Sequence, residues 1–152
     1  MMNISNDQEL KNALNNLPRE QQRLLGARFT QSVCEQVDNP SLMSALKVAL
    51  ISDSTDQELK DAFKVAKSIA TKTYTACGRD ADWGLQAEHF IAAACAAALT
   101  PDALITENYN AAWKAAIQSR MAKNCLMIES DSGELENEAD RKYRLTEKFL
   151  GE

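Results

Sequence analysis

Glu88 and His89 stand side by side in the stretch EHFIAAACAAALTP, residues 88–101, and His89 is the only histidine of the chain. A histidine beside a carboxylate can move protons, because an unperturbed imidazole changes charge at about pH 6.5. Adjacent residues on a helix point about 100° apart, however, so the two side chains do not readily face one substrate. A carboxylate at the edge of a core also needs a partner, since burying it unpaired costs on the order of several kcal/mol or forces it to protonate. Arg28, Arg79 and Arg120, each near an apolar helical stretch, are the candidates. One expectation is therefore a pocket lined by Trp83, Glu88, His89 and an arginine. The plainer one is a structural histidine next to a salt-bridged glutamate.

Other chemistry is sparse. The sequence holds no ExxH or HExxH pair, no phosphate-binding loop, no GxSxG and no dinucleotide fingerprint. Cys34, Cys77, Cys95 and Cys125 are widely spaced and form no CxxC, whereas zinc ligands usually come in close pairs. They read as small buried hydrophobes in a reducing compartment, although four helices could still gather four thiols. No catalytic residue, metal or cofactor is expected.

A second constellation is acidic. Glu129, Asp131, Glu134, Glu136, Glu138 and Asp140 place six carboxylates within twelve residues. Near the start of a helix they suit the macrodipole, and Lys142, Arg144 and Lys148 suit the later turns, so an electrostatically ordered terminal helix explains most of the pattern. The sharper reading is a surface for a basic protein partner, because a field of one sign steers association.

The rest of the composition bounds the possibilities. A net charge of −5 and a pI near 5.0 speak against nucleic-acid binding, which needs a basic surface. The first residues, MMNISNDQEL, lack the pattern of a signal peptide, and the longest apolar run, Phe90 to Leu99, is too short to span a bilayer. The expected location is the cytoplasm.

The elements that must position these residues are helices. Alanine is abundant, glycine and proline are few, and no run alternates like a strand. Asn6-Asp-Gln-Glu9 is a capping box opening a short helix to about Asn16, and Leu17-Pro18 breaks it. A long helix follows from about Arg19 to Asp38. Asn39-Pro40 starts a third helix to about Ile51, and a second capping box, Thr55-Asp-Gln-Glu58, starts a fourth that Gly78 would stop. The fifth, about 82–99, is apolar around its whole circumference after His89, which marks a helix buried on all sides. After Thr100-Pro101 comes a short helical turn, then a helix from roughly Glu107 to Ile128, a flexible break at 130–133 and a polar helix to Leu150. Asp7-Gln-Glu-Leu-Lys also returns 49 residues later at Asp56, which is either a HEAT-like repeat or two capped helices that begin alike. The expected fold is all-α: a single domain of six to seven helices in antiparallel pairs around the 82–99 helix.

The order of Ala27-Arg28-Phe29, Val33-Cys-Glu-Gln-Val37, Pro40-Ser-Leu-Met-Ser-Ala-Leu46, Asp61-Ala-Phe-Lys-Val-Ala66, the Ala-rich helix with its histidine, and Arg141-Lys-Tyr-Arg-Leu-Thr-Glu-Lys-Phe-Leu150 resembles the Ala-rich, all-helical immunity proteins of bacterial polymorphic-toxin systems. The resemblance covers roughly residues 20–150. It implies a cytoplasmic, non-enzymatic inhibitor that binds a cognate toxin one to one, with Arg28 as the position of the family's notable arginine. The expected function is thus a protein-interaction module. The alternatives are a small-molecule-binding protein or enzyme using Glu88 and His89, and a structural homo-oligomer.

Overall fold

Side-chain caps set several helix starts. Asn6 accepts from the Glu9 N–H, Asn39 from Leu42, Thr55 from Glu58 and Asn110 from Trp113, all at 2.9–3.1 Å. At Thr55 the box is reciprocal, because Glu58 in turn accepts the Thr55 N–H at 2.9 Å. The computed structural model describes residues 3–34, 37–76, 83–106, 109–130 and 138–151, with 74–76, 128–130 and 138 described by their backbone alone. Among them the chain forms seven α-helices and no strand: α1 Asp7–Asn15, α2 Arg19–Gln31, α3 Pro40–Leu50, α4 Asp56–Ala76, α5 Trp83–Leu99, α6 Ala111–Ser130 and α7 Glu138–Leu150. A single 3-10 turn, Asp102–Leu104, lies between α5 and α6.

Two boundaries differ from the sequence expectation. Helix α2 stops at Gln31, not Asp38, because the N–H groups of Val33 and Cys34 close on the carbonyls of Thr30 and Gln31 at 3.2 and 3.3 Å. The Ser32 hydroxyl donates to the Phe29 carbonyl at 2.6 Å and satisfies another end group. Helix α6 begins at Ala111, not Glu107, because Asn110 caps it; Glu107 itself lies outside the described residues. The two Asp-Gln-Glu-Leu-Lys copies open α1 and α4 and then diverge, one helix having 9 residues and the other 21. Gly78 and positions 131–133 of the expected flexible break also lie outside the described residues, while Ser130 ends α6.

Helix α5 is the centre, packed most extensively against α6 and α4 and crossed by α2 and α3. Helices α5 and α6 run antiparallel: Tyr109, just before α6, reaches Ala97, while the Cys125 thiol lies 3.9 Å from Gln86. Helix α2 divides the core. Its Ala27 joins a cluster with α3, α4 and α5, and its Leu25 and Phe29 join another with Ile4, α1, α6 and α7. Helix α7 is less polar than its sequence suggests, since Tyr143, Thr146 and Phe149 are buried. Lys142, read from the sequence as a cation suited to the later turns of this helix, is fully buried, with its ammonium 3.4 Å from the Ser32 hydroxyl and over the Phe29 ring at 5.8 Å.

Cys95 lies on the buried face of α5, where burial, helped by the Cys34 thiol, pushes its own thiol up to about 12. Only the thiolate reacts, so native Cys95 is expected to be labelled by a thiol reagent at least about a thousandfold more slowly than an exposed cysteine. It should react at the ordinary rate in guanidinium. Mass-resolved labelling checks this, and equal native rates at Cys95 and Cys34 would overturn the placement. Among the described residues, no three His, Cys, Asp or Glu side chains are grouped closely enough to hold a metal ion. No described helix is long and apolar enough to cross a membrane.

Candidate functional site

Helix α5 sends Glu88 and His89 in different directions, as their adjacency requires. Glu88 Oε1 accepts from the Asn39 amide at 2.8 Å, while the other end of that amide caps α3. Its hydrogen-bond partner is thus an amide that orients a neighbouring helix, in place of the arginine sought from the sequence. His89 Nδ1 lies 2.7 Å from the Ala70 carbonyl in α4. A carbonyl has no proton to give, so the imidazole donates from Nδ1. The ring also stands edge-on to Phe90, with centroids 5.1 Å apart.

Arg28, Arg120 and Asp140, also singled out in the sequence, have partners other than this pair. Trp83 is half-buried in the first turn of α5. Arg28 lies over the Phe149 ring at 4.9 Å, joining α2 to α7. Arg120 makes a two-pronged contact with Asp7 at 2.9 and 3.2 Å, joining α6 to α1. Asp140 is exposed and lies 3.4 Å from Arg144. Arg79, Asp131, Glu134 and Glu136 lie outside the described residues, and Glu129 and Glu138 are described by backbone alone.

What His89 does border is a groove of about 560 Å³ that runs along α5 between α4 and α6. Its floor is Ala93, Ala96 and Ala97 of α5 and Thr100 just after that helix. One wall is Phe63, Lys67, Ala70 and Thr71 of α4; the other is Tyr109, Lys114 and Gln118, with Leu104 on the rim. The groove exists because α4 and α6 each pack against α5 and leave a strip of it between them. The central helix is therefore not covered on every side: Ala93 and Ala97 stay partly exposed where the sequence implied complete burial.

Tyr109 fixes one end of the groove. Its hydroxyl donates to the Ala97 carbonyl at 3.0 Å and stands 3.0 Å from the Thr100 hydroxyl, which donates to the Ala96 carbonyl at 2.9 Å. These contacts help satisfy carbonyls in the last turn of α5, where Ala97 also accepts the Thr100 N–H at 3.4 Å. Burial raises the Tyr109 phenol above its ordinary range, with the Thr100 contact opposing, so the hydroxyl stays protonated at neutral pH.

The electrostatics of the groove oppose those of the chain. Lys67 and Lys114 face it from opposite walls, and among the described residues no aspartate or glutamate lines it. Neither lysine is paired with a carboxylate among those residues. A second cleft of about 560 Å³, between the start of α2, the α3–α4 loop and the end of α5, is different. There Arg19 pairs with Asp102 at 2.9 Å, and Arg23 donates to the Ala49 and Ile51 carbonyls at 3.3 and 2.9 Å, so its guanidinium groups are already engaged.

Sequence reasoning found His89 and missed Lys67, Tyr109 and Lys114. Lys67 shares a helical stripe with Phe63 and Ala70, the one local sign that it borders apolar surface. Lys114 offers no such sign, because its role depends on how α6 crosses α5. No family model, curated protein or solved structure matches the chain.

Proposed function

We propose that this chain is a non-enzymatic protein-interaction module acting in the cytoplasm, and that its most concrete form is an immunity protein that binds and occludes a cognate toxin. The groove on α5 carries this reading. It is open along its length, floored by small side chains of the central helix and walled by two other helices, so a docked partner would meet a preformed surface. The mechanism is occlusion: a partner segment seated in the groove is withdrawn from its own target. The resemblance of the order of sequence features to helical immunity proteins supports the same reading, and the carboxylates at 129–140 would offer a second contact for a basic region of the partner.

A small-molecule site is the second reading. It has in its favour a volume within the usual range for such sites and the His89 ring on the border.

Native mass spectrometry of the protein purified from its own cells at low salt separates the two. The expected result is one additional protein at 1:1 stoichiometry, shed as salt rises. A single chain that retains a small mass, or the chain alone at every salt concentration, would overturn the interaction reading.

A further inference from the structure

The groove also indicates what kind of partner segment it takes. We propose that it binds an acidic amphipathic helix of the partner protein, with small apolar residues against Ala93 and Ala97 and carboxylates against Lys67 and Lys114. This rests on the interaction reading above and specifies its chemistry.

Shape argues for a helix. From His89 to Ala97 the α5 residues that line the groove rise about 12 Å, or just over two helical turns, at 1.5 Å per residue. Alanines at 93, 96 and 97 lie three and four residues apart on one face, and so small a floor lets a second helix approach to about 8 Å. The described backbone on both sides is helical and offers no sheet edge to an extended peptide. An extended segment would leave its own N–H and C=O groups unpaired against apolar walls, whereas a helix arrives with them satisfied. An open trough is also a poor enclosure for a small molecule, since small-molecule sites bury most of their ligand's surface.

Charge argues for acid. In a chain of net charge −5, the groove brings together two lysines without carboxylate partners among the described residues and no acidic wall. A helix lying between Lys67 and Lys114 can present carboxylates to both sides at once. A basic segment would meet repulsion along the same line.

The test uses fluorescence anisotropy and two synthetic peptides of roughly 18 residues, long enough to populate helix. One has alanine and leucine on one face and glutamate on its flanks; its twin has lysine in place of glutamate. The acidic peptide should bind the full chain. Exchanging both wall charges, Lys67→Glu with Lys114→Glu, should weaken it about tenfold and make the lysine twin the tighter ligand. Filling the groove with Ala97→Leu, or from the exposed wall with Thr71→Trp, should abolish binding; the second change leaves core packing alone. Equal binding of both peptides, or no response to the lysine exchange, would overturn the acidic occupant. If the filling variants still blocked peptide binding in that case, the groove and the interaction reading would survive. Dodecanoate bound in a Thr71→Trp-sensitive way, with neither peptide bound, would assign a small-molecule site instead. Dilution-dependent size in sedimentation, lost in the lysine exchange, would assign the groove to a second copy of the chain and overturn the proposal.

Discussion

Gly26→Val is expected to destabilise the protein by about 3 kcal/mol, the upper end of what overpacking a well-filled core usually costs. Gly26 is buried where α2 crosses both α5 and α6. A β-carbon built there would lie 3.2 Å from the β-carbons of both Ala98 and Ala115 and 3.5 Å from the Ala111 carbonyl oxygen. The two alanines belong to different helices, so relieving both contacts requires α2 to draw back from α5 and α6 together. Ala94, Ala98 and Ala115 form a seam of small side chains, and interiors at crystal-like density have no slack to absorb extra atoms. The Gly26 carbonyl is also held, accepting from the buried Thr30 hydroxyl at 2.9 Å.

Gly26→Ala is the informative companion. Alanine gains about 1 kcal/mol of helix propensity over glycine, which opposes the crowding, so its net effect should lie within about 1 kcal/mol of wild type. Valine adds two methyl groups and loses some of that propensity. For a chain of this size the valine variant should melt roughly 6–12 °C lower. Adding Ala115→Gly should recover part of the loss relative to Ala115→Gly alone, a coupling expected only for side chains in contact. A valine variant melting within about 2 °C of wild type would mean that α2 does not cross the seam here.

Gly26 also marks the boundary of what a sequence can tell. The helix starts were legible because a cap is a local event: Asn6, Asn39 and Thr55 each bond to the N–H group three residues on. The centrality of α5 was legible because alanine and cysteine all round a helix leave it no polar face. The stop at Gln31 was not, because it depends on Val33 turning into a core that other helices build. The groove was not legible for the same reason. Phe63, Lys67, Ala97 and Lys114 come from three helices, and no spacing within one helix records the gap between its neighbours. Glu88 was correctly read as a carboxylate that needs a partner. The amide that satisfies it is 49 residues away.

Asp7→Asn should destabilise the protein by about 2–3 kcal/mol, and Arg120→Met by only about 1 kcal/mol, although both remove the same ion pair. The asymmetry follows from exposure. The Arg120 side chain is 17% exposed and that of Asp7 is 50% exposed. Losing the carboxylate strands a largely buried guanidinium, whose Nε already has no hydrogen-bond partner among the described residues. Losing the guanidinium leaves a carboxylate that water can reach and that Tyr143 still contacts at 2.8 Å, while methionine keeps the apolar stem beside Trp113. The same site sets the response to acid. The Arg120 contact, opposed by burial and aided by Tyr143, holds the Asp7 carboxyl below its ordinary range. At Glu147 the Ile4 N–H does the same, opposed by burial and aided by Arg144. A carboxyl depressed in the folded state adds stability above its unfolded value of about 4 and loses it as pH falls through the folded value. Both groups tie the N-terminal segment to the rest of the fold, Asp7 through α6 and α7 and Glu147 through α7, so these attachments should weaken together in acid. Urea titrations followed by tryptophan fluorescence should show wild type well above Asp7→Asn at pH 7, with the difference shrinking below about pH 4. A gap that stays constant down to pH 2, about two units below the ordinary carboxylate value, would mean that the Asp7 charge is not what the pair contributes.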